Sequence, residues 1–508
     1  MNHNLFSLFL VAIEQYSKKD AIQLINKTAY TFNDLDTISA QVANALYSMG
    51  IRPGDRVASK IEKSAYNLFL YLGCLRSGII YLPFNTGYAI EELKYFFEDA
   101  KPSLVICDPL HLEETQNLSM QYNPFSVLTL DKEGNGTLRT LCDKQSDVFN
   151  TVQSKPSDIA VILYTSGTTG KPKGAMITHE GLASNAKALN EAWGMTDKDT
   201  ILHALPLYHV HGLFFAVHTA LLVGASIILL SKFEPQPVVD CFKKATVFMG
   251  VPTHYIRLIN ANNVNKKTCA NIRLFISGSA PLLDSTFNSF YEMTGQTILE
   301  RYGMTETGIN TSNPLVEERK VGSVGKPLSG VLVRVVDEMD NIAKPYDIGH
   351  IQVKGKSLFQ GYWQMPEKTA QDFTEDGFFK TGDMGYFDDE GYLFIVGRQK
   401  DLVISGGLNV YPREIELSID LIDGVIESAV IGIPHPDLGE VVVAVIVAHQ
   451  NLAEKGEAFI LEHLKSKHAK FKLPKKVFFI NELPKNTMGK VQKNVLRNKH
   501  AGFFMEAK

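Results

Sequence analysis

The junction at residues 159–174 narrows the fold more than any other stretch of this chain. Five consecutive apolar residues, Ile159-Ala160-Val161-Ile162-Leu163, read as a buried strand and run directly into Tyr164-Thr165-Ser166-Gly167-Thr168-Thr169-Gly170-Lys171-Pro172-Lys173-Gly174. A loop at a strand end is where α/β proteins commonly place ligands. This one suits a polyphosphate. Its glycines let backbone N–H groups approach phosphate oxygens, the hydroxyls of Thr165, Ser166, Thr168 and Thr169 add donors, and Lys171 and Lys173 bring positive charge. A Walker A loop is excluded: GxxxxGK[ST] needs four residues between its glycines and a hydroxyl after its lysine, whereas Gly167 and Gly170 bracket two threonines and Pro172 follows Lys171. A plain surface turn would not need these hydroxyls and lysines together.

Strand-like runs alternate with helical patterns through most of the chain, at Ser103 to Cys107, Ser226 to Leu230, Thr246 to Met249 and Leu274 to Ser277. That alternation predicts parallel α/β sheets with crossover helices. From about Gly322 short strands and turns take over, as at Val331 to Val336 and His350 to Val353, predicting a β-rich subdomain over about 322–399. A second boundary near Lys400 opens a compact module, 400–508, in which Glu427 to Ile433 and Val441 to Ala448 alternate with a helical segment around Glu457 to Lys467. The expected class is α/β: a large N-terminal domain, 1–399, of parallel sheets plus the β-rich part, and a small C-terminal α+β domain.

With 508 residues, 45% of them hydrophobic, the chain can bury more than one core. A net charge of −4 provides no basic field for nucleic acid or an acidic membrane. The five cysteines, Cys74, Cys107, Cys142, Cys241 and Cys269, are scattered without CxxC spacing, which fits a reducing compartment better than a disulfide framework or a zinc site. Leu5 to Ile13 lacks a preceding basic region and a small-residue cleavage pattern, so it predicts an amphipathic first helix. Gly212 to Leu230 is long enough to span a bilayer, but it contains His218 and is broken by Gly224-Ala225-Ser226, so it reads as a buried helix and strand. A cytoplasmic protein with no membrane span is expected.

Further runs follow in order: Arg301-Tyr302-Gly303-Met304-Thr305-Glu306, Thr381-Gly382-Asp383, Gly397-Arg398-Gln399-Lys400-Asp401 and Pro484-Lys485-Asn486-Thr487-Met488-Gly489-Lys490. With the phosphate loop, they resemble the motifs of the adenylate-forming superfamily of acyl-CoA synthetases, peptide-synthetase adenylation domains and luciferases. The resemblance implies that ATP and Mg²⁺ activate a carboxylic acid as an acyl-adenylate, from which a thiol then displaces AMP. Thr165, Ser166, Gly167, Thr168, Thr169, Gly170 and Lys173 would hold the β- and γ-phosphates, Glu306 with Thr165 the Mg²⁺, and Thr305 the α-phosphate. Tyr302 would stack on adenine, Asp383 and Arg398 would bind the ribose, and Ser279, Glu300 and Arg301 would complete the ATP site. Lys490 would reach in from the C-terminal lid, turning about a hinge at Lys400. Singly, each of these residues has an ordinary alternative as a core aromatic, a turn residue or a surface ion pair; Lys490 lies in a lysine run that would otherwise be a solvated face.

Ser405-Gly406-Gly407 resembles the segment that lines the pantetheine tunnel, and free CoA is the expected acceptor because no carrier or condensation domain follows the Lys490 run. The segments Leu205 to Gly212, Gly250 to Arg257, Ser277 to Pro281 and Glu300 to Pro314 resemble those of the malonyl-CoA synthetases. A dicarboxylic acid needs a cationic clamp, for which Arg257 and Arg301 are the candidates, with Ser277, His209 and the backbone around Met304 completing the acyl pocket. His209 also counts, with Lys490 and Thr305, among the candidate catalytic residues. Ile309 and Leu315 stand where that family suggests methionine and an aromatic, which leaves malonate or methylmalonate open. Alternatives are a synthetase for an uncharged short, medium or aromatic acid, an adenylation domain loading a carrier protein, and, in another class, a nucleotide binder without catalysis. Acetylation of Lys490 by a lysine acetyltransferase, reversed by a deacetylase, would remove the charge that adenylation needs.

Overall fold

Alternate residues of the central strands enter two different cores. In the strand Leu274–Ser277, Leu274 and Ile276 join one cluster and Phe275 another, and in Val247–Gly250 the same division separates Val247 and Met249 from Phe248. Such strands are covered on both faces, which is why their sequence is apolar throughout instead of alternating. The computed structural model describes residues 2–122, 124–165, 172–261, 263–406, 408–486 and 489–504.

Two sheets build the body. In the nine-stranded sheet the order is Lys326–Pro327, Gly308–Ser312, Ile298–Met304, Leu274–Ser277, Val247–Gly250, Thr200–His203, Ser226–Leu229, Asp20–Leu24 and Ala29–Thr31. The six-stranded sheet runs Ser126–Thr129, Leu104–Cys107, Arg56–Lys60, Ile80–Pro83, Ile159–Thr165 and Lys173–Thr178. The sheet interiors are parallel, as the alternating texture predicts, and so is the Ser126–Thr129 edge, whereas the other three edges are antiparallel. Ile159–Thr165 pairs antiparallel with Lys173–Thr178, so the strands on either side of the glycine-rich run are neighbours.

One continuous core takes side chains from both sheets and from the helices between them, among them Leu5–Gln15, Phe32–Ser48, Ala65–Ser77 and His179–Trp193. Local chemistry starts these helices. Asn4 caps the first by accepting from the Phe6 N–H, and Thr31 with Asp34 forms a reciprocal capping box for the second. Ala65–Ser77 is buried on every side, and Gly73 is what lets it approach Phe32–Ser48: a Cβ there would lie 2.4 Å from Val42 Cγ1. The Gly212 to Leu230 stretch resolves into a π-helical turn, His211–Ala216, a helix, Val217–Val223, and the strand Ser226–Leu229. Among the described residues, no helix is long and apolar enough to cross a membrane.

A four-stranded antiparallel sheet, Val331–Val336, Gly349–Gly355, Phe379–Phe387 and Leu393–Arg398, forms the β-rich part. Beyond it a five-stranded sheet centred on Val425–His435 and Gly439–Ala448 sends alternate residues into two small cores of its own, one under the helices Pro412–Asp420 and Gly456–Lys465, the other under Lys493–His500. No hydrophobic cluster among the described residues mixes side chains from before and after Lys400.

Candidate active site

The functional residues gather where the strands of both sheets end. Thr165 closes the strand before the glycine-rich loop and Lys173 opens the strand after it; Ser166, Gly167, Thr168, Thr169, Gly170 and Lys171 lie outside the described residues. Both flanks are tied to the helix Ile90–Ala100. The Tyr164 hydroxyl donates to Asp99 at 2.5 Å, and the Tyr95 hydroxyl donates to the Pro172 carbonyl at 2.8 Å. Lys173 is buried, with its Nζ 4.0 Å from the centre of the Tyr362 ring and 3.9 Å from Asp372. Burial lowers its affinity for a proton while Asp372 works the other way.

Thr305 and Glu306 occupy the turn between Ile298–Met304 and Gly308–Ser312. Glu306 is buried, accepts from the Tyr362 hydroxyl at 3.2 Å and from the Thr165 hydroxyl at 3.4 Å, and makes no direct ion pair among the described residues. Burial raises its carboxyl above the usual range. A desolvated carboxylate beside a hydroxyl, without a bound cation of the protein's own, suits a hard divalent metal such as Mg²⁺.

A second cluster suits a nucleoside. Asp383 and Arg398 face each other across paired strands, with Arg398 Nε 2.9 Å from Asp383 Oδ1, and the Tyr302 hydroxyl donates to Asp383 Oδ2 at 2.6 Å. The Asp383 N–H is held by the Thr381 hydroxyl at 3.0 Å. Two lysines from beyond this sheet face the same pair. Lys490 is exposed, its backbone N–H held by the Asn486 side chain. Desolvation first, then Arg398, push its ammonium down to about 8, against the pull of Asp383. Lys400, in a short 3₁₀ turn, is likewise lowered by burial and Arg398. Gly489, next to Lys490, packs its backbone against Thr253, so the lid's tip touches the body beside the helix Pro252–Ile259.

Among the candidate acyl-pocket cations, Arg301 is the one the structure buries most deeply. Only 4% of it is exposed, its Nε and Nη2 have no hydrogen-bond partner, and burial pushes its guanidinium down to about 9. Its neighbour Glu300 turns away to accept from the Leu282 N–H, and burial raises that carboxyl to about 8. Near Arg301 lie Gly278, the fully buried and unpartnered Ser277 hydroxyl, and Ser279, whose φ of +73° is a strained value for a non-glycine residue. The Ser279 hydroxyl is 3.3 Å from His211 Nδ1, and His211 Nε2 has no partner. The half-buried His209 holds the His211 N–H at 3.3 Å; burial and Arg301 push its imidazole down to about 4. Met304 is half-buried, and its carbonyl accepts from the Thr307 N–H.

Several expectations divide here. Arg257 is exposed, whereas Tyr255 and Leu258 of the same helix point inward, so the structure separates the two candidate clamp residues and leaves Arg301 as the buried one. Ile309 is fully buried in the main core, its backbone clasped by Asn185, and Leu315 lies against Gly194. Ser405 and Gly406 lie at the hairpin joining Val403–Ser405 to Leu408–Val410 in the lid sheet, with the Gly406 N–H bound to Leu438; Gly407 is outside the described residues. Sequence reading missed Tyr362, Asp372, His211, His254 and Phe215. Tyr362 contacts Glu306 and Lys173, His254 stacks on Phe233 at 3.8 Å, and the Phe215 ring lies 5.2 Å from the Arg301 guanidinium.

The model of an AMP-binding enzyme matches residues 10–363, and that of an AMP-binding enzyme C-terminal domain matches residues 414–490. A malonate–CoA ligase of Arabidopsis thaliana is 36% identical over 496 residues, covering 91% of this chain and 81% of its own. A long-chain-fatty-acid–CoA ligase of Bacillus subtilis is 32% identical over 529 residues, covering 96% and 93%. The ATP-bound crystal structure of MatB from Rhodopseudomonas palustris superposes with a TM-score of 0.96 at 47% identity, covering 99% of this chain and 100% of that one. The apo form of the same protein superposes with a TM-score of 0.85.

Proposed function

We propose that this chain, which belongs to the AMP-binding enzyme family, is an AMP-forming malonate–CoA ligase. The observation that carries the reading is Arg301, a buried guanidinium whose Nε and Nη2 lack partners, seated against Gly278 at the ligand end of the sheet. A buried unpaired charge costs roughly 3 to 5 kcal/mol, so the site favours an acid that supplies a second carboxylate. The similarity to a malonate–CoA ligase and to ATP-bound MatB supports the same substrates, malonate, ATP and CoA. Methylmalonate would present the same charge.

In the first half-reaction one malonate carboxylate attacks the α-phosphate of ATP; the new O–P bond forms as the bond to pyrophosphate breaks. Two anions must meet, so the task of the protein is to position them and neutralise charge. Arg301, with Ser277, would hold the carboxylate that does not react. Tyr302, Asp383 and Arg398 would seat the nucleoside, Lys173 and Thr165 would meet the terminal phosphates, and Thr305 and Lys490 would meet the α-phosphate. Glu306 and Thr165 would hold Mg²⁺, which supplies charge neutralisation on the phosphates when bound. Movement about Lys400 would then withdraw Lys490 and admit the CoA thiol past Ser405, Gly406 and Gly407; the thiol attacks the acyl carbon, forming the thioester as AMP leaves.

A relative that acts on long-chain acids raises a second reading, an uncharged acyl substrate. Against it, an uncharged acid would leave the buried Arg301 guanidinium without a partner for its Nε and Nη2. The test is pyrophosphate release with ATP and Mg²⁺ across acetate, propionate, malonate, methylmalonate, succinate and benzoate, with and without CoA. Malonate-selective release with malonyl-CoA as product is expected; equal rates with acetate would overturn the reading.

A further inference from the structure

One buried charge near the pocket has no part in the roles assigned above. Lys63 precedes Ser64, the cap of the helix Ala65–Ser77, and is 8% exposed. Its Nζ lies 2.8 Å from His203 Nδ1 and donates to the His203 carbonyl at 2.9 Å, and among the described residues no carboxylate pairs with it. An ammonium taken out of water without an acid beside it is costly, and burial alone drives this one well below its ordinary value.

The partner of Lys63 leads to the acyl pocket. His203 ends a strand of the nine-stranded sheet, so the Lys63–His203 contact ties the ligand-facing ends of the two sheets together. With Nδ1 facing Lys63, the Nε2–H of His203 donates to the Gly212 carbonyl at 2.8 Å. Gly212 belongs to the π-helical turn that carries His211 toward Ser279 and Phe215 toward Arg301. His211 lies within electrostatic reach of Arg301, His209, His254 and His203, and His254 within reach of Arg257 and, more weakly, Lys63. Lys63 and Arg301 therefore flank one nest of imidazoles.

We propose that Lys63 is a specificity-determining positioning residue of the acyl pocket: seated on His203, it holds the π turn against Arg301 and lends a second positive charge to a dicarboxylate entering there. The inference rests on the malonate reading above. An anion entering the nest favours the charged form of the ammonium, so Lys63 regains with a dicarboxylate what burial takes away. An acid with a single carboxylate, consumed at the α-phosphate, offers no such return.

The test uses the full chain with Lys63→Gln, Lys63→Met and Lys63→Arg, comparing kcat/KM for malonate and propionate, KM for ATP, and thermal melting. We expect the neutral variants to lose about tenfold in the malonate-over-propionate ratio, mostly through KM for malonate, with KM for ATP within about twofold and Lys63→Arg restoring most of the ratio. A folded Lys63→Gln with an unchanged ratio would overturn the proposal. So would equal losses for both acids with lowered melting, or failure of both neutral variants to fold, either of which makes Lys63 a structural tie alone. The unmodified protein separates the two readings: no malonate preference there overturns the substrate assignment and this inference together, whereas a preference that survives Lys63→Gln overturns this inference only.

Discussion

A Cβ on Gly278 would lie 2.3 Å from the Arg301 Cζ, so the missing side chain at 278 is the space that the guanidinium occupies. Gly278→Ala should displace Arg301 without touching the nucleoside residues. Overpacking of this kind costs about 1 to 3 kcal/mol, equivalent to roughly 5- to 150-fold. The expected outcome is a rise of that size in KM for malonate with KM for ATP little changed, measured by pyrophosphate release. An unchanged KM for malonate would remove Arg301 from the pocket.

The Tyr302–Asp383–Arg398 cluster should behave as one unit. Hydrogen bonds to charged groups are worth about 1.5 to 3 kcal/mol, so Asp383→Asn should weaken ATP binding by roughly 10- to 150-fold. Tyr302→Phe, which leaves the Asp383–Arg398 pair in place, should cost less. Neither should alter the ratio of malonate to propionate turnover; calorimetric titration with a non-hydrolysable ATP analogue, alongside that ratio, decides the point.

In its proposed role Lys490 acts with its proton, and the free protein holds it at about 8. The charged form is present below that value and is lost above it. In kcat/KM for ATP, which reports the free enzyme, the rate of adenylation should fall above about pH 8; in kcat the fall should move to higher pH, because bound phosphates favour the ammonium. Lys490→Arg should remove the fall, and Lys490→Ala should slow adenylation by about two to three decades while sparing thioester formation from supplied acyl-adenylate. Loss of both half-reactions in Lys490→Ala would contradict the assignment.

Acid should unfold this protein through its histidines. Burial holds His179 and His209 at about 4 and His218 and His254 at about 3, all below the ordinary value of 6.5. Their folded forms are neutral, so the unfolded chain takes up more protons below about pH 6.5; the stability they confer is full above that pH and is lost progressively toward pH 3 to 4. Each contributes a slope of up to about 1.4 kcal/mol per pH unit. Thermal melts at pH 7, 6 and 5 should fall steeply, and His218→Gln, replacing an imidazole hydrogen-bonded to Tyr71, should flatten the fall.

What could be seen in advance followed from local rules. A strand apolar on both faces and a loop dense in glycine, hydroxyl and lysine are legible because each is decided by neighbours in sequence. Arg257 is exposed for a reason the spacing contains: with Tyr255 and Leu258 inward, residue 257 falls on the opposite face of the helix. His211 and Phe215 were not legible, since a π turn shifts the register at which side chains face the pocket. Lys63 reads as an ordinary solvated lysine before a helix cap, and only the meeting of two sheet ends, residues 63 and 203, buries it. The antiparallel pairing of Ile159–Thr165 with Lys173–Thr178 depends on contact between strands and so escapes a reading of single runs.

The paired small cores of the C-terminal sheet have a mechanical consequence. Because the apolar side chains on both faces of Gly439–Ala448 are covered from within residues 403–504, the lid carries its own interior wherever it goes. Turning it would break contacts such as that of Gly489 with Thr253 and would expose little oil. The proposed rotation would therefore leave both interiors intact. The energy of a catalytic cycle can then go to chemistry at the phosphate, with almost none spent on prising the protein apart.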